Sequence, residues 1–266
     1  MEDFGTAWTW LKALAYGLPR FMLVFTILPL FSKEALPILL RMGVVGCLAM
    51  FLAPGLLEGA AVERDAVSIA AIIIKEGFIG LLLGFVMAIP LWALETMGDL
   101  CDTQRGATIA QTLNPLSGHE TSPLGQLFNQ AVVTFLFVIG GFLLLLGVVY
   151  DSFTVWPVFG ALPSITPDAT RVALELMDRL MSLTVLLASP VIFCMFLAEA
   201  GMALVSRFVP QLQVFFLAMP VKSAIAMLVF AVYAVVLFDY TNDILRSTLA
   251  DTLRTVARML VGVRVP

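Results

Sequence analysis

The sequence LFNQAVVTFLFVIGGFLLLLGVVY, residues 127–150, is a continuous apolar stretch without a single charged side chain. At ~1.5 Å of rise per residue, a helix of this length crosses the ~30 Å hydrocarbon core of a bilayer. We therefore interpret residues 127–150 as a membrane span, and as the clearest one in the chain.

The composition of the whole chain supports the same class. Hydrophobic residues make up 61% of the sequence and charged residues 13%, and the mean hydropathy is +1.01. These values are typical of an all-α integral membrane protein and exclude an ordinary soluble domain. The net charge of -4 provides no basic surface for phosphates, so nucleic acid is excluded as a partner, whereas membrane lipid is expected.

Five further apolar segments accompany this stretch, and several contain prolines that predict kinked or broken helices. The six segments are residues 8–31, 38–57, 67–94, 127–150, 180–205 and 214–238. Pro220 is expected to break the last of them. Residues 239–266 have apolar side chains at spacings of three and four, which predicts a separate amphipathic helix on the membrane surface or on a partner subunit. We expect residues 1–266 to form one domain.

The third segment combines a charged pair with a glycine series. Gly77, Gly80 and Gly84 predict close packing against a neighbouring helix. Lys75 and Glu76 are adjacent, and side chains of adjacent helical residues point ~100° apart, so we expect each to need a partner elsewhere. Structural pairing and ion transport both remain open for such intramembrane charges.

Other charges in the apolar segments lead to similar expectations. Arg20 and Arg41 are expected to extend toward the membrane surface. Glu199 and Lys222 lie in the fifth and sixth segments and are expected to need protein partners rather than lipid.

Residues 95–123, ETMGDLCDTQRGATIAQTLNPLSGHETSP, concentrate the polarity that the rest of the chain lacks. Loops of this length in compact chains are usually functional or disordered. Two interpretations follow from the residues alone: a solvated connection between two spans, or a polar segment that lines or closes a path inside an assembly.

Catalytic and metal-binding motifs do not emerge from the sequence. One histidine and three widely spaced cysteines indicate neither a metal centre nor a disulfide framework. The motifs GxxxxGK[ST], HExxH and GxSxG are missing from the sequence, so we predict a protein that is not an enzyme and needs no cofactor. An ion-coupled secondary transporter, with Glu76 and Glu199 as coupling groups, is the alternative function.

Two long motifs identify a family. GDLCDTQRGATIAQTLNPLSG (98–118) and SPVIFCMFLAEAGMALVSRFVPQLQVFFLAMPVK (189–222) resemble sequence blocks of the type III secretion export-apparatus proteins of the SctT/FliR family. DSFTVWP (151–157), between them, resembles a connector of the same family. The stretch LSGHETSPLGQLF (116–128) is more similar to the injectisome branch than to the flagellar branch.

This resemblance implies a non-catalytic subunit of the export gate through which unfolded polypeptides are secreted. It implies one copy together with a pentamer of the SctR (FliP-like) subunit and a tetramer of the SctS (FliQ-like) subunit. SctU (FlhB-like) and SctV (FlhA-like) proteins are the further expected partners. The implied location is the bacterial inner membrane, and the implied fold is like a fusion of the SctR and SctS folds.

The resemblance also implies roles for individual residues. In the family, the loop equivalent to the polar segment projects into the channel as a plug. Carried over to this sequence, the plug residues are Gln104, Arg105, Gly106, Gln111, Asn114, Pro115, Gly118 and His119. We expect Arg105 to anchor this loop by pairing with Glu95 or Asp102. Charges expected to form structural contacts within or between subunits are Lys75, Glu76, Glu95, Asp102, Glu199, Arg207 and Lys222.

Overall fold

The computed structural model describes residues 2–30, 37–106, 122–208 and 214–261. Within these ranges the chain is almost entirely helical, as predicted, with one pair of two-residue strands. The elements are α1 Glu2–Ile27, α2 Ile38–Ala61, α3 Ala66–Gln104, α4 Pro123–Val138, α5 Gly141–Val155, β1 Ser164–Ile165, α6 Ala169–Phe208, α7 Val214–Met259 and β2 Leu260–Val261. The strands pair antiparallel, Ser164 with Val261 and Ile165 with Leu260.

Five of the described helices are long and apolar enough to cross a membrane: α1, α2, α3, α6 and α7. The pair α4 and α5 passes the same test only as a bent pair, which brings the total to as many as six. The all-α membrane class and the six apolar segments are therefore confirmed, and the chain is a multi-pass membrane protein.

The stretch at residues 127–150 is not one straight span, contrary to the sequence-based expectation. The helix is interrupted before Gly141, and Gly140 has a φ of 73°. Glycine adopts this left-handed conformation without a steric penalty, so the chain changes direction here. Hydropathy predicted the length of the apolar stretch but not this turn.

Two predicted boundaries were wrong because helices run further than the hydropathy suggests. α3 continues to Gln104, so the first part of the polar segment is helical. α7 runs without interruption from Val214 to Met259, so residues 239–259 continue this helix rather than forming a separate amphipathic one. Pro220 lies inside α7 and does not break it, because proline removes a single intrahelical hydrogen bond near the start of a long helix.

The glycine series of α3 packs directly against α1, as predicted. A Cβ atom at Gly80 would lie 2.5 Å from the carbonyl oxygen of Arg20, and one at Gly84 would lie 3.1 Å from Cα of Val24. The first distance leaves no room for a Cβ atom, and the second is a tight contact that a Cβ atom would have to push apart. The glycines therefore let the α1 backbone approach α3 and bring Arg20 to the charged part of α3.

We expect Gly80→Ala to destabilise the protein by about 1–3 kcal/mol, because the methyl group overlaps backbone atoms that cannot rotate away. Gly46→Ala in α2 is the matched control, since a Cβ there meets no atom within 4 Å. The unfolding free energy in mixed detergent micelles measures both variants. Equal stability of the two variants would contradict the close α1–α3 contact.

The chain divides into two compact units, each assembled from separate parts of the sequence. Unit 1 contains Met1–Ile89, Leu136–Leu176 and Leu245–Pro266, and unit 2 contains Pro90–Phe135 and Met177–Ile244. Unit 1 holds the Arg20 region and the strand pair, and unit 2 holds the helical ends that flank the polar segment. The prediction that residues 1–266 form a single domain remains a prediction.

Candidate functional site

A fully buried ion pair lies in the apolar interior of unit 1. Nε of Arg20 on α1 donates to Oε2 of Glu76 on α3 at 2.8 Å, and both side chains have no exposed surface. Nη1 of Arg20 donates to Oγ of Ser152 at 2.9 Å, and Nη2 donates to the carbonyl oxygen of Trp156 at 2.7 Å. The guanidinium also stacks over the ring of Phe153, with Cζ 3.9 Å from its centroid.

Lys75 completes this cluster from the other side of Glu76. Its Nζ lies 3.4 Å from Oε1 of Glu76. The same Nζ donates to the carbonyl oxygens of Pro157 at 2.8 Å, Val158 at 2.6 Å and Gly160 at 3.3 Å. We call Arg20, Lys75, Glu76 and their partners the buried charge cluster.

The buried charge cluster confirms one sequence-based expectation and corrects another. Lys75 and Glu76 each have a partner elsewhere, as expected: Arg20 pairs with Glu76, and carbonyl oxygens of the α5–α6 connector accept from Lys75. The two side chains also approach one another, with Nζ of Lys75 3.4 Å from Oε1 of Glu76. Arg20 does not extend to the membrane surface but is completely buried. Sequence reasoning missed Arg20 as a partner of Glu76, and the one signal in the sequence was its charge inside an apolar segment.

The cluster holds the connector between α5 and α6 in place. Trp156, Pro157, Val158 and Gly160 all offer carbonyl oxygens to the two buried cations. A connector without helical hydrogen bonds must satisfy its buried carbonyls in another way. The cations therefore neutralise Glu76 and satisfy irregular backbone at the same time.

Asp102, in unit 2, connects the two described ends of the polar segment. The Asp102 side chain is buried near the end of α3. Its Oδ2 accepts hydrogen bonds from Oγ of Ser122 at 2.6 Å and from the backbone N–H of Leu124 at 2.9 Å. Its Oδ1 lies 2.6 Å from Nε of Arg105. One carboxylate thus contacts residues on both sides of positions 107–121.

The N-terminus of α4 explains why Asp102 can bind residues that follow positions 107–121. Ser122 caps the helix, because its Oγ accepts the N–H of Gly125 at 2.9 Å, and Pro123 follows in the first helical position. Asp102 supplies the acceptor for the N–H of Leu124, another group that has no partner within the helix. Glycine also allows α3 and α4 to approach closely here, since a Cβ at Gly98 would lie 2.6 Å from the backbone nitrogen of Gly125.

Arg105 has a second contact that steadies this arrangement. Its Nη1 donates to Oγ of Ser223 on α7 at 3.1 Å. Gly106 follows with a φ of 81°, a left-handed conformation that favours glycine and differs from that of α3. We call Asp102, Arg105 and Ser122 the clasp.

The expected pairing of Arg105 occurs with Asp102, and not with Glu95. Glu95 instead accepts a hydrogen bond from Nδ2 of Asn129 at 3.2 Å. Gln104 is exposed at the end of α3. The remaining plug residues named from the sequence lie outside the described residues: Gln111, Asn114, Pro115, Gly118 and His119.

We expect Asp102→Asn to loosen the first turn of α4, because the neutral amide loses the ion pair with Arg105 and offers a single acceptor oxygen. The cost of about 1–2 kcal/mol corresponds to roughly ten-fold faster amide exchange at Leu124. Hydrogen–deuterium exchange measures this amide. Asp178→Asn, at an exposed carboxylate on α6, is the control, and equal exchange at Leu124 in both variants would contradict the role of the clasp.

Lys222 and Glu199 form the third charged group. Nζ of Lys222 on α7 lies 3.1 Å from Oε2 of Glu199 on α6, an ion pair within one chain. Two clefts of about 370 and 390 Å³ flank this pair, and Gln104, Glu199 and Lys222 line both of them. Arg207 is exposed in the last turn of α6 and has no ion pair with any residue that the structure describes.

The described residues contain no group of three or more histidine, cysteine, aspartate or glutamate side chains that could hold a metal ion. The three charged groups instead consist of one three-membered cluster and two pairs of opposite charge, all supported by hydrogen bonds. This arrangement favours structural roles for these charges.

The known proteins to which this chain is similar are bacterial export and secretion proteins. A family model described as bacterial export proteins, family 1, matches residues 11–248. Over 226 residues the chain is 42% identical to the Yop proteins translocation protein T of Yersinia pestis, which covers 85% of this chain and 87% of the relative.

Two further relatives extend the range of identity. The chain is 33% identical to the secretion system apparatus protein SsaT of Salmonella typhimurium, over 82% of this chain and 85% of the relative. It is 26% identical to the flagellar biosynthetic protein FliR of Bacillus subtilis, over 92% and 96% of the two chains. Identity is thus higher to these two secretion-system relatives than to this flagellar one.

Proposed function

Because this chain belongs to the bacterial export proteins, family 1, we propose that it is a non-catalytic subunit of a type III secretion export gate. The higher identity to the Yop translocation protein and to SsaT than to FliR favours the injectisome branch. The observation that carries this proposal is the similarity to export proteins along almost the whole chain, since the family match extends from residue 11 to 248.

The charge pairing supports a gate subunit over an ion-coupled transporter. A coupling carboxylate must reach water or an ion during the transport cycle. Glu76 is enclosed by Arg20 and Lys75, and Glu199 is paired with Lys222. Each carboxylate of the transporter hypothesis therefore has a cationic partner within the chain, and Glu76 is in addition completely buried.

The exposed apolar surface of the isolated chain is available both to lipid and to other membrane subunits. Large apolar side chains on α2, α6 and α7 are exposed in the isolated chain, and neither compact unit covers them. We propose that one copy of this chain assembles with an SctR-type pentamer and an SctS-type tetramer, with SctU-type and SctV-type proteins alongside. The bacterial inner membrane is the proposed location.

The polar segment is the proposed plug of the gate. The clasp keeps its two ends together, because Asp102 contacts both Arg105 and Ser122. Gly106, with its positive φ, is the proposed hinge between the clasp and the plug. A loop with fixed ends can leave a path and return to it without repacking the helices that carry it.

Native mass spectrometry tests the proposal. The chain is co-expressed with the membrane proteins encoded beside it and purified in mild detergent. One copy in a complex with about five and about four copies of two other membrane proteins is the expected result. A stable monomer or homodimer without such partners would refute the gate function, and ion-transport assays of Glu76 and Glu199 variants would then test the transporter.

A further inference from the structure

The ammonium group of Lys75 lies in a cage of oxygen atoms. The carbonyl oxygens of Pro157, Val158 and Gly160 accept its hydrogen bonds. Oε1 of Glu76 lies 3.4 Å from the same nitrogen, and the Lys75 side chain is only 2% exposed. An ammonium group has three hydrogens, and the connector offers one carbonyl oxygen for each of them. We call these four oxygen atoms the oxygen cage, and they fit a monovalent cation of this size.

The oxygen cage depends on the cation at its centre. Oxygen atoms that converge on one buried point repel each other, and each has lost its contacts with water. The backbone forms a turn here, in which the N–H of Gly160 donates to the carbonyl oxygen of Pro157 at 3.0 Å. Lys75 supplies the donor for the carbonyl oxygens of Val158 and Gly160. Loss of the ammonium group therefore favours opening of this turn toward water.

The segment that follows the oxygen cage covers the C-terminal end of α7. We call residues 161–168, which include β1, the strap. Oγ1 of Thr166 donates to the carbonyl oxygen of Arg258 at 2.7 Å, and the backbone N–H of Thr166 donates to that of Met259 at 2.9 Å. The last carbonyls of a helix have no partner within it. The strap therefore caps α7, and β1 extends this contact by pairing with β2.

Polar contacts hold the strap more than apolar packing does. Leu162 and Ile165 are each 65% exposed, so the strap buries little apolar surface of its own. Met259 and Leu260 are buried, and the end of α7 thus has apolar contacts that the strap lacks. Segments with few buried apolar contacts are the ones that open locally in a folded protein. We therefore expect the strap to open more easily than the helices around it.

We propose that the oxygen cage is a monovalent-cation site whose resident cation is the ammonium group of Lys75, and that its occupancy keeps the strap closed over the end of α7. The cation fixes Gly160, directly before the strap, and the strap reaches α7 through Thr166. Lys75 is thus a positioning residue that acts on α7 through the connector. All these residues belong to unit 1 of this chain, so the inference does not depend on the gate function.

Hydrogen–deuterium exchange of the full chain in detergent micelles tests the strap. Lys75→Met keeps an unbranched side chain but removes its charge, and we expect exchange of the Thr166 amide to become about ten-fold faster or more. The amide of Leu28, which donates to Val24 on α1, is the reference within unit 1 and should keep its wild-type rate. Equal acceleration at both amides, or an unchanged rate at Thr166, would overturn the inference.

Chemical rescue tests the requirement for a cation. Lys75→Ala removes the ammonium group and all side-chain carbons beyond Cβ, and propylammonium replaces these atoms. Because the open strap exposes the oxygen cage, we expect propylammonium to reverse most of the acceleration at the Thr166 amide in this variant. 1-Propanol, a neutral molecule of the same length, should not reverse it, and the wild-type chain should respond to neither. Protection of the variant by both compounds, or by neither, would overturn the cation site.

Discussion

Glu76→Gln is expected to destabilise the protein by about 3–5 kcal/mol, the usual cost of removing one member of a buried ion pair. The substitution leaves Arg20 and Lys75 as two buried cations without an anion between them. Because folded proteins are stable by only about 5–15 kcal/mol, a large share of the stability is lost. The unfolding free energy in mixed detergent micelles measures the change.

Two further variants distinguish charge imbalance from loss of packing. Glu175→Gln removes an exposed carboxylate paired with Arg171 and should change stability by less than about 1 kcal/mol. The double variant Arg20→Met with Glu76→Met should be less destabilised than the sum of its single variants, because it removes both charges together. Additive effects in this cycle would contradict direct coupling of Arg20 and Glu76.

Deletion of residues 107–116 is expected to raise ion leakage through the assembled gate from background to a clearly measurable conductance. The clasp permits such a deletion, since Asp102 already holds Arg105 and Ser122 together and the remaining residues need to bridge only this short gap. Ion flux into vesicles that contain the purified complex measures the leakage. This result is expected if the segment is the plug of the gate, because the deletion removes it while the surrounding helices stay in place.

A replacement of the same ten positions by glycine and serine is the control for this deletion. It keeps the length of the segment, so it should leak less than the deletion if the segment acts as a physical plug. Native mass spectrometry of each complex confirms that the stoichiometry is unchanged. A fully assembled deletion variant with wild-type leakage would contradict the plug.

Much of the candidate site could be read from the sequence because charges inside apolar segments are conspicuous. Glu199 and Lys222 stood out in this way, and the structure pairs them with each other. Asp102 was one of two candidates for Arg105, and geometry selected it over Glu95. Ser122 and Ser152 were missed, since a serine gives no signal until its partner is near in space.

The sequence by itself determined the membrane class, the apolar segments and the places where polarity interrupts them. These properties depend on transfer of side chains from water to lipid, which is a local quantity that can be summed along the chain. The close contact at Gly77, Gly80 and Gly84 was also predictable, because only small residues permit it.

The tertiary structure alone decided which charges meet and where the helices turn. Arg20 pairs with Glu76 across 56 positions of sequence, and Lys75 reaches carbonyl oxygens more than 80 positions away. Such pairs are set by the path of the backbone and the reach of long side chains. Hydropathy contains no information about direction, so the bend at Gly140 and the continuity of α7 also emerged only from the folded chain.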